Sequence, residues 1–162
     1  SRLAMVVVVC MLALAAPAAL AMQGGLTFGV LGDWGLPNAN AGTIATHLSK
    51  VNSSFILGIG DNFYENGVSS VYDPQWNNTF ENVYIQEVFQ RPWYLIAGSH
   101  DHRGSVDAQI AYSDLSRRWN FPSLYYTMEM PLPDSAGDVR IQFVFIARKS
   151  QLLIIPLPSL SM

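Results

Sequence analysis

An α/β fold built around a parallel sheet is what this 162-residue sequence predicts, and three observations predict it. Three short apolar runs, Leu26 to Leu31, Phe55 to Ile59 and Trp93 to Ala97, each run out into a polar cluster that begins with glycine. Apolar residues at helical spacing lie between the runs. A pair of apolar segments separated by turn-forming residues follows them. Strands buried on both faces read as short, nearly continuous apolar stretches of this kind.

The first run ends in Gly32-Asp33-Trp34-Gly35. Asn38 to Val51 follows, with Ala41, Ile44, Leu48 and Val51 along one side of a helix. The second run leads into Gly60-Asp61-Asn62-Phe63-Tyr64, and Phe80, Val83, Tyr84 and Val88 predict a helix after it. The third ends in Gly98-Ser99-His100-Asp101-His102, and Ala108, Tyr112, Leu115 and Trp119 predict a further helix. Strand and helix alternate as in βαβ units, where the loops at the carboxyl ends of strands carry the reactive groups. Leu124 to Met130 and Val139 to Ile146, parted by Pro131, Pro133, Asp134 and Gly137, predict a hairpin.

Half of the residues are apolar, enough for one domain with a core but not for two. A net charge of -3 speaks against a polyanion such as nucleic acid as partner. Arg2 precedes an apolar run from Met5 to Ala21, and Ala19-Leu20-Ala21 fits a small-x-small cleavage pattern, so residues 1–21 read as a secretory signal peptide. At about 1.5 Å per residue this run is shorter than a ~30 Å hydrocarbon core, so no stable membrane anchor is expected. The single cysteine, Cys10, lies inside it, leaving no disulfide for the mature chain. Asn52-Ser53-Ser54 and Asn77-Asn78-Thr79 are glycosylation sequons for a chain entering the secretory pathway.

The three polar clusters carry the chemistry. A lone Gly-Asp after a strand is commonly a turn cap, and a lone tyrosine is commonly a core residue. Three successive strand ends that offer Asp33, then Asp61 and Tyr64, then two imidazoles and a carboxylate, are more than turns require. Two cations about 3.5 to 4 Å apart, held by such groups, clamp a phosphoryl group and acidify a bound water. A phenolate is a hard ligand that suits a ferric ion. His47, on the first helix, has no neighbouring ligand and reads as an ordinary histidine.

These motifs resemble the purple acid phosphatases of the small, tartrate-resistant type, among the calcineurin-like metallophosphoesterases. The resemblance covers roughly residues 26–146 and includes Phe55-Ile56-Leu57, Pro92-Trp93-Tyr94, Ala108 to Ser113 and Arg118-Trp119-Asn120-Phe121-Pro122. It implies the N-terminal part of a four-layer αββα sandwich, and hydrolysis of phosphate monoesters at a centre of Fe(III) plus a second divalent metal, Fe, Zn or Mn. By the same resemblance Asp33 binds the ferric ion, Asp61 bridges both metals and Tyr64 supplies a phenolate. His100 stabilises the transition state or protonates the leaving alcohol, His102 is similar to a second histidine of the site, and Asp101 orients its neighbours.

Two departures from the family pattern stand out. Ser99 replaces the asparagine that gives the second metal a carbonyl oxygen. Three further histidine ligands that the family draws from later loops have no counterpart, because His47, His100 and His102 are the only histidines. Residues 147–162, from Ala147-Arg148 onward, read as a divergent tail, as a shifted frame, a retained intron or a shortened gene would leave. The expected activity is therefore impaired. The alternative is a non-catalytic secreted remnant that binds a partner or a single metal; a phosphodiesterase is disfavoured by Tyr64. Extracellular, lysosomal and vacuolar destinations are all compatible with the signal segment, and the oligomeric state is open.

Overall fold

The computed structural model describes residues 25–36, 39–132 and 140–147. The segment expected to be a signal peptide, residues 133–139 and the expected tail beyond Ala147 fall outside the described residues.

Four parallel strands make the central sheet: β1 (Phe28–Leu31), β2 (Phe55–Gly58), β3 (Trp93–Leu95) and β4 (Trp119–Asn120), in the order β1-β2-β3-β4. Parallel neighbours that follow one another in sequence need a crossover between them. The first crossover carries helix α1 (Ala39–Leu48), which buries Ala45 and Leu48. Leu31 lies opposite Gly58, and Gly58 opposite Leu95, so β1, β2 and β3 end level with one another. The three polar clusters therefore leave the sheet side by side.

Alternate side chains serve two cores. On one face Trp93 meets Trp34, Phe80, Tyr84 and Phe89, in a fully buried cluster that also takes in Phe63, Trp76 and Trp119. Trp34 is its hub, with five aromatic rings at centroid distances from 5.4 to 6.2 Å. On the other face Phe28 and Phe55 stack at 5.1 Å and meet Phe143 edge-on. Phe143 belongs to the antiparallel hairpin of β5 (Tyr125–Pro131) and β6 (Arg140–Ile146). The hairpin is fastened by Tyr126, which stacks on Phe145 and donates its hydroxyl proton to the Leu95 carbonyl at 2.9 Å. Its outer face leaves Tyr125, Val144 and Ile146 exposed. A second sheet thus covers the parallel one, with helical segments on the opposite side.

Two helices expected from apolar spacing form differently. Between β2 and β3 the chain makes a π-helical turn, Trp76–Glu81, and a 3-10 turn, Glu87–Gln90. The cause is Arg118, buried 37 residues further on. Its guanidinium donates to the carbonyls of Phe80 (3.3 Å), Glu81 (3.1 Å), Tyr84 and Phe89 (3.3 Å) and to the Glu81 carboxylate (2.7 Å). It also lies 4.2 Å above the Phe80 ring. The Phe80 carbonyl still accepts from the Val83 and Tyr84 amides, but those of Glu81 and Tyr84 are taken up by the Arg118 side chain, so the helix need not continue. After β3, α2 (Val106–Ala111) passes into a 3-10 turn, Tyr112–Asp114, and stops. Leu115 is exposed, and Trp119 opens β4 opposite Trp93, its indole N–H bonded to the Gln109 carbonyl at 2.8 Å.

Trp119 is wholly buried where the sheet, α2 and the π-helical turn meet. Trp119→Ala is expected to lower the unfolding free energy by about 3–5 kcal/mol, as large aromatic truncations do. A urea titration will show this as a lower midpoint at unchanged slope.

Candidate metal centre at the strand ends

The loops after β1 and β2 bring their aspartates together through an unusual backbone. Asp33 (φ 55°) and Asp61 (φ 52°) both adopt the left-handed region. A non-glycine residue there costs on the order of 1–3 kcal/mol and persists only where its surroundings hold it. What holds these two is mutual lacing: Asp33 N–H donates to the Gly60 carbonyl at 3.2 Å and Gly35 N–H to the Asp61 carbonyl at 3.2 Å. Close approach depends on glycine at two points. A Cβ on Gly35 would lie 2.2 Å from the Asn62 carbonyl oxygen, and one on Gly98 would lie 2.3 Å from both the amide nitrogen and a carboxylate oxygen of Asp61.

Tyr64 joins the two carboxylates. Its hydroxyl oxygen lies 2.5 Å from Asp33 Oδ1 and 3.0 Å from Asp61 Oδ2, so a single proton faces two acids. Burial, then hydrogen bonding to the two carboxylates and their charge, pushes the phenol well above its ordinary range. Burial also pushes the Asp61 carboxyl up, but the His100 N–H at 2.9 Å, the Tyr64 hydroxyl and the charge of His100 outweigh it. Asp61 therefore lies below the usual carboxylate value. Ser99 is exposed, its hydroxyl 3.4 Å from Asp61 Oδ1.

The His100 ring packs on Tyr64 with centroids 4.1 Å apart. Its Nδ1 lies 2.6 Å from the Glu65 carbonyl oxygen. A carbonyl can only accept, so Nδ1 carries a proton and Nε2 is the nitrogen left to exchange one.

Beneath these groups Asp101 is fully buried and binds main chain rather than joining the cluster. It accepts from the amides of Asn62 (3.0 Å), Phe63 (3.1 Å) and Gly98 (2.7 Å) and from the Gln109 side chain (2.9 Å). Burial pushes its carboxyl up against the pull of these donors, and burial prevails. Gln109 in turn accepts from the Asn62 amide at 3.1 Å, which also reaches the Ile96 carbonyl at 2.8 Å. Loops from β2, β3 and α2 are thereby tied to one carboxylate.

Of the residues singled out in the sequence, Asp33, Asp61, Tyr64, Ser99 and His100 converge. His102 lines a cavity of about 420 Å³ with Ser105, Val106 and Leu124, which none of the five lines. His47 is exposed on α1. Among the described residues no three His, Cys, Asp or Glu side chains converge on one point. The convergent donors are two carboxylates and a phenol, hard oxygens that fit one hard cation. Beside the other Asp61 oxygen stands the Ser99 hydroxyl, a neutral donor. Sequence reasoning passed over the Glu65 carbonyl, which leaves no side-chain signal, and Arg103, whose Nη1 lies 3.3 Å from His100 Nδ1.

Comparison with known proteins bears on the same region. Residues 26–155 match the calcineurin-like phosphoesterase family. The chain is 45% identical over 127 residues to tartrate-resistant acid phosphatase type 5 of Sus scrofa, covering 72% of this chain and 37% of that protein. The Homo sapiens protein of the same name is 43% identical, over 72% of this chain and 39% of its own. Purple acid phosphatase 3 of Arabidopsis thaliana is 38% identical over 104 residues, 60% of this chain and 28% of that one. Among solved structures, GAP50, the anchor in the inner membrane complex of Plasmodium, superposes with a TM-score of 0.68 at 28% identity, over 76% of this chain and 42% of that one. The chain spans less than two fifths of the tartrate-resistant relatives. The match runs through every strand of the described sheets and all three strand-end loops, and on that ground the chain belongs to the calcineurin-like phosphoesterases.

Proposed function

We propose that this chain carries one side of a binuclear acid-phosphatase centre that hydrolyses phosphate monoesters. The observation that carries the reading is the Tyr64 hydroxyl held between Asp33 and Asp61, two aspartates in left-handed backbone at adjacent strand ends. Asp33, Asp61 and Tyr64 would hold Fe(III); Asp61 and Ser99 would face the second divalent metal, Fe, Zn or Mn. When bound, the metal pair withdraws charge from the phosphoryl group and acidifies water.

The chain's own residues supply the rest. Tyr64, whose hydroxyl proton is shared with Asp33 and Asp61, would serve as a ligand once that proton is released to solvent. His100, its Nδ1 fixed on the Glu65 carbonyl, presents Nε2 as the proton donor to the leaving alcohol. Asp101 keeps the Asp61 and His100 loops at their spacing without touching substrate. Among the described residues the donor beside Asp61 is the neutral Ser99 hydroxyl, which would hold the second metal weakly, so turnover by this chain would be low. The apolar segment after Arg2 supports delivery to the secretory pathway and an extracellular, lysosomal or vacuolar site of action. Asn52 and Asn77, both exposed, are the acceptors for glycans there. No helix among the described residues is long and apolar enough to cross a membrane.

The direct test is colour. Adding Fe(III) to the purified chain is expected to raise a visible charge-transfer band that Tyr64→Phe abolishes; a colourless wild-type chain, or an undiminished band in the variant, removes the basis of the reading. Gly98→Ala pushes a methyl against Asp61 and should weaken ferric binding roughly 10–100-fold with the far-ultraviolet circular dichroism unchanged. Ser99→Asn extends a carbonyl toward the second metal and should tighten binding of Zn(II) or Mn(II) about 10-fold, measured by competition with a chromogenic chelator.

A further inference from the structure

Of the five convergent residues Ser99 is the exposed one. Its hydroxyl faces Asp61 Oδ1 at 3.4 Å. A carboxylate only accepts, so the proton of this pair belongs to the serine. The same Oδ1 takes the His100 N–H at 2.9 Å, while Oδ2 takes the Tyr64 hydroxyl at 3.0 Å. Asp61 is thus oriented through both oxygens, as a base beside an activated hydroxyl has to be, and such pairs are often loose until substrate arrives.

The chain on either side of Ser99 is fixed. Gly98 N–H donates to Asp101 at 2.7 Å, and the Gly98 carbonyl accepts from His102 N–H at 3.2 Å. His100 is tied by its own N–H to Asp61 and by Nδ1 to the Glu65 carbonyl. The freedom left to the serine is rotation about its Cα–Cβ bond. The phenol and Asp33 lie toward Oδ2, the hydroxyl toward Oδ1, so one cation can be held on the Tyr64 side with the Ser99 side left to react.

We propose that Ser99 is a nucleophile, and that the chain transfers the phosphoryl group of a phosphate monoester to its own Ser99 hydroxyl. Ser99 Oγ bonds to phosphorus as the bond from phosphorus to the alcohol oxygen breaks. The hydroxyl proton passes to Asp61 Oδ1, and the departing oxygen takes a proton from Nε2 of the charged His100 ring. Monoester and serine become alcohol and phosphoserine, and no oxidant or further reactant is needed. The phosphoserine is itself a monoester whose hydrolysis needs a water activated afresh, so it accumulates. This rests on the phosphoesterase reading above and changes the first acceptor from water to a residue of the chain.

The full 162-residue chain, supplied with Fe(III), is mixed with 4-nitrophenyl phosphate in mildly acidic buffer. Nitrophenol, free phosphate and the intact mass of the protein are followed together. Nitrophenol should appear in a burst approaching one equivalent per chain, ahead of free phosphate, and the chain should gain the mass of one phosphoryl group on Ser99. Ser99→Ala should lose both burst and mass gain while binding Fe(III) with the same colour. Ser99→Thr, which keeps the hydroxyl, should restore both at a lower rate. Three results overturn the role of Ser99 while the phosphoesterase reading stands. One is equal release of nitrophenol and phosphate from an unmodified chain. Another is a burst that survives in Ser99→Ala. The last is a label on a different hydroxyl, such as that of Ser69, which also donates to an aspartate, Asp73 at 2.8 Å. A wild-type chain that releases no nitrophenol overturns both.

Discussion

The Asp101 carboxylate is the constraint on which the described site depends. It is wholly buried and paired with three main-chain amides and one side-chain amide drawn from the β2 loop, the β3 loop and α2. An acid can be kept in such a place only because its oxygens are filled with donors. The same donors fix where Asn62, Phe63 and Gly98 lie, and with them Asp61 and His100 on either side. Trp34 and Phe63, packed against each other in the aromatic core just below, prevent the loops from sinking or tilting. The cluster of Asp33, Asp61 and Tyr64 is thus held from beneath by a polar knot and an aromatic floor, as well as by the lacing between its own loops.

Much of this could be read in the sequence, and the exceptions have physical causes. The parallel strands were legible because each is a short apolar run with its polar cluster at the carboxyl end, and the hairpin because its turn residues separate two alternating segments. The helix expected around Phe80 to Val88 does not run through, since Arg118, far along the chain, takes the Glu81 and Tyr84 carbonyls that would have continued it. Trp119 looked like a helical residue because an apolar residue four positions after Leu115 fits either structure, and only the facing Trp93 decides for a strand.

In the site the pattern is similar. Position at a strand end was enough to bring forward Asp33, Asp61, Tyr64 and His100. The left-handed backbone of both aspartates carries no sequence signal, because aspartate visits that region from time to time without purpose. His102 sits two residues from His100, and in a 3-10 turn, which does not return every second residue to the same side, it lines a cavity that His100 does not. Chemistry that is adjacent in sequence is not always adjacent in space.

The level ends of β1, β2 and β3 have a consequence of their own. Because Leu31, Gly58 and Leu95 share one line, Asp33, Asp61 and His100 meet only when all three strands pair in the native alignment. A slip of β2 by one residue would send its apolar side chains to the wrong faces and carry Asp61 out of reach of Tyr64's partner. These pairings join residues roughly 30 apart in sequence, contacts that form late because long loops must close first. The site therefore serves as a checksum on the sheet: whatever binds there binds only chains whose strands have found their places.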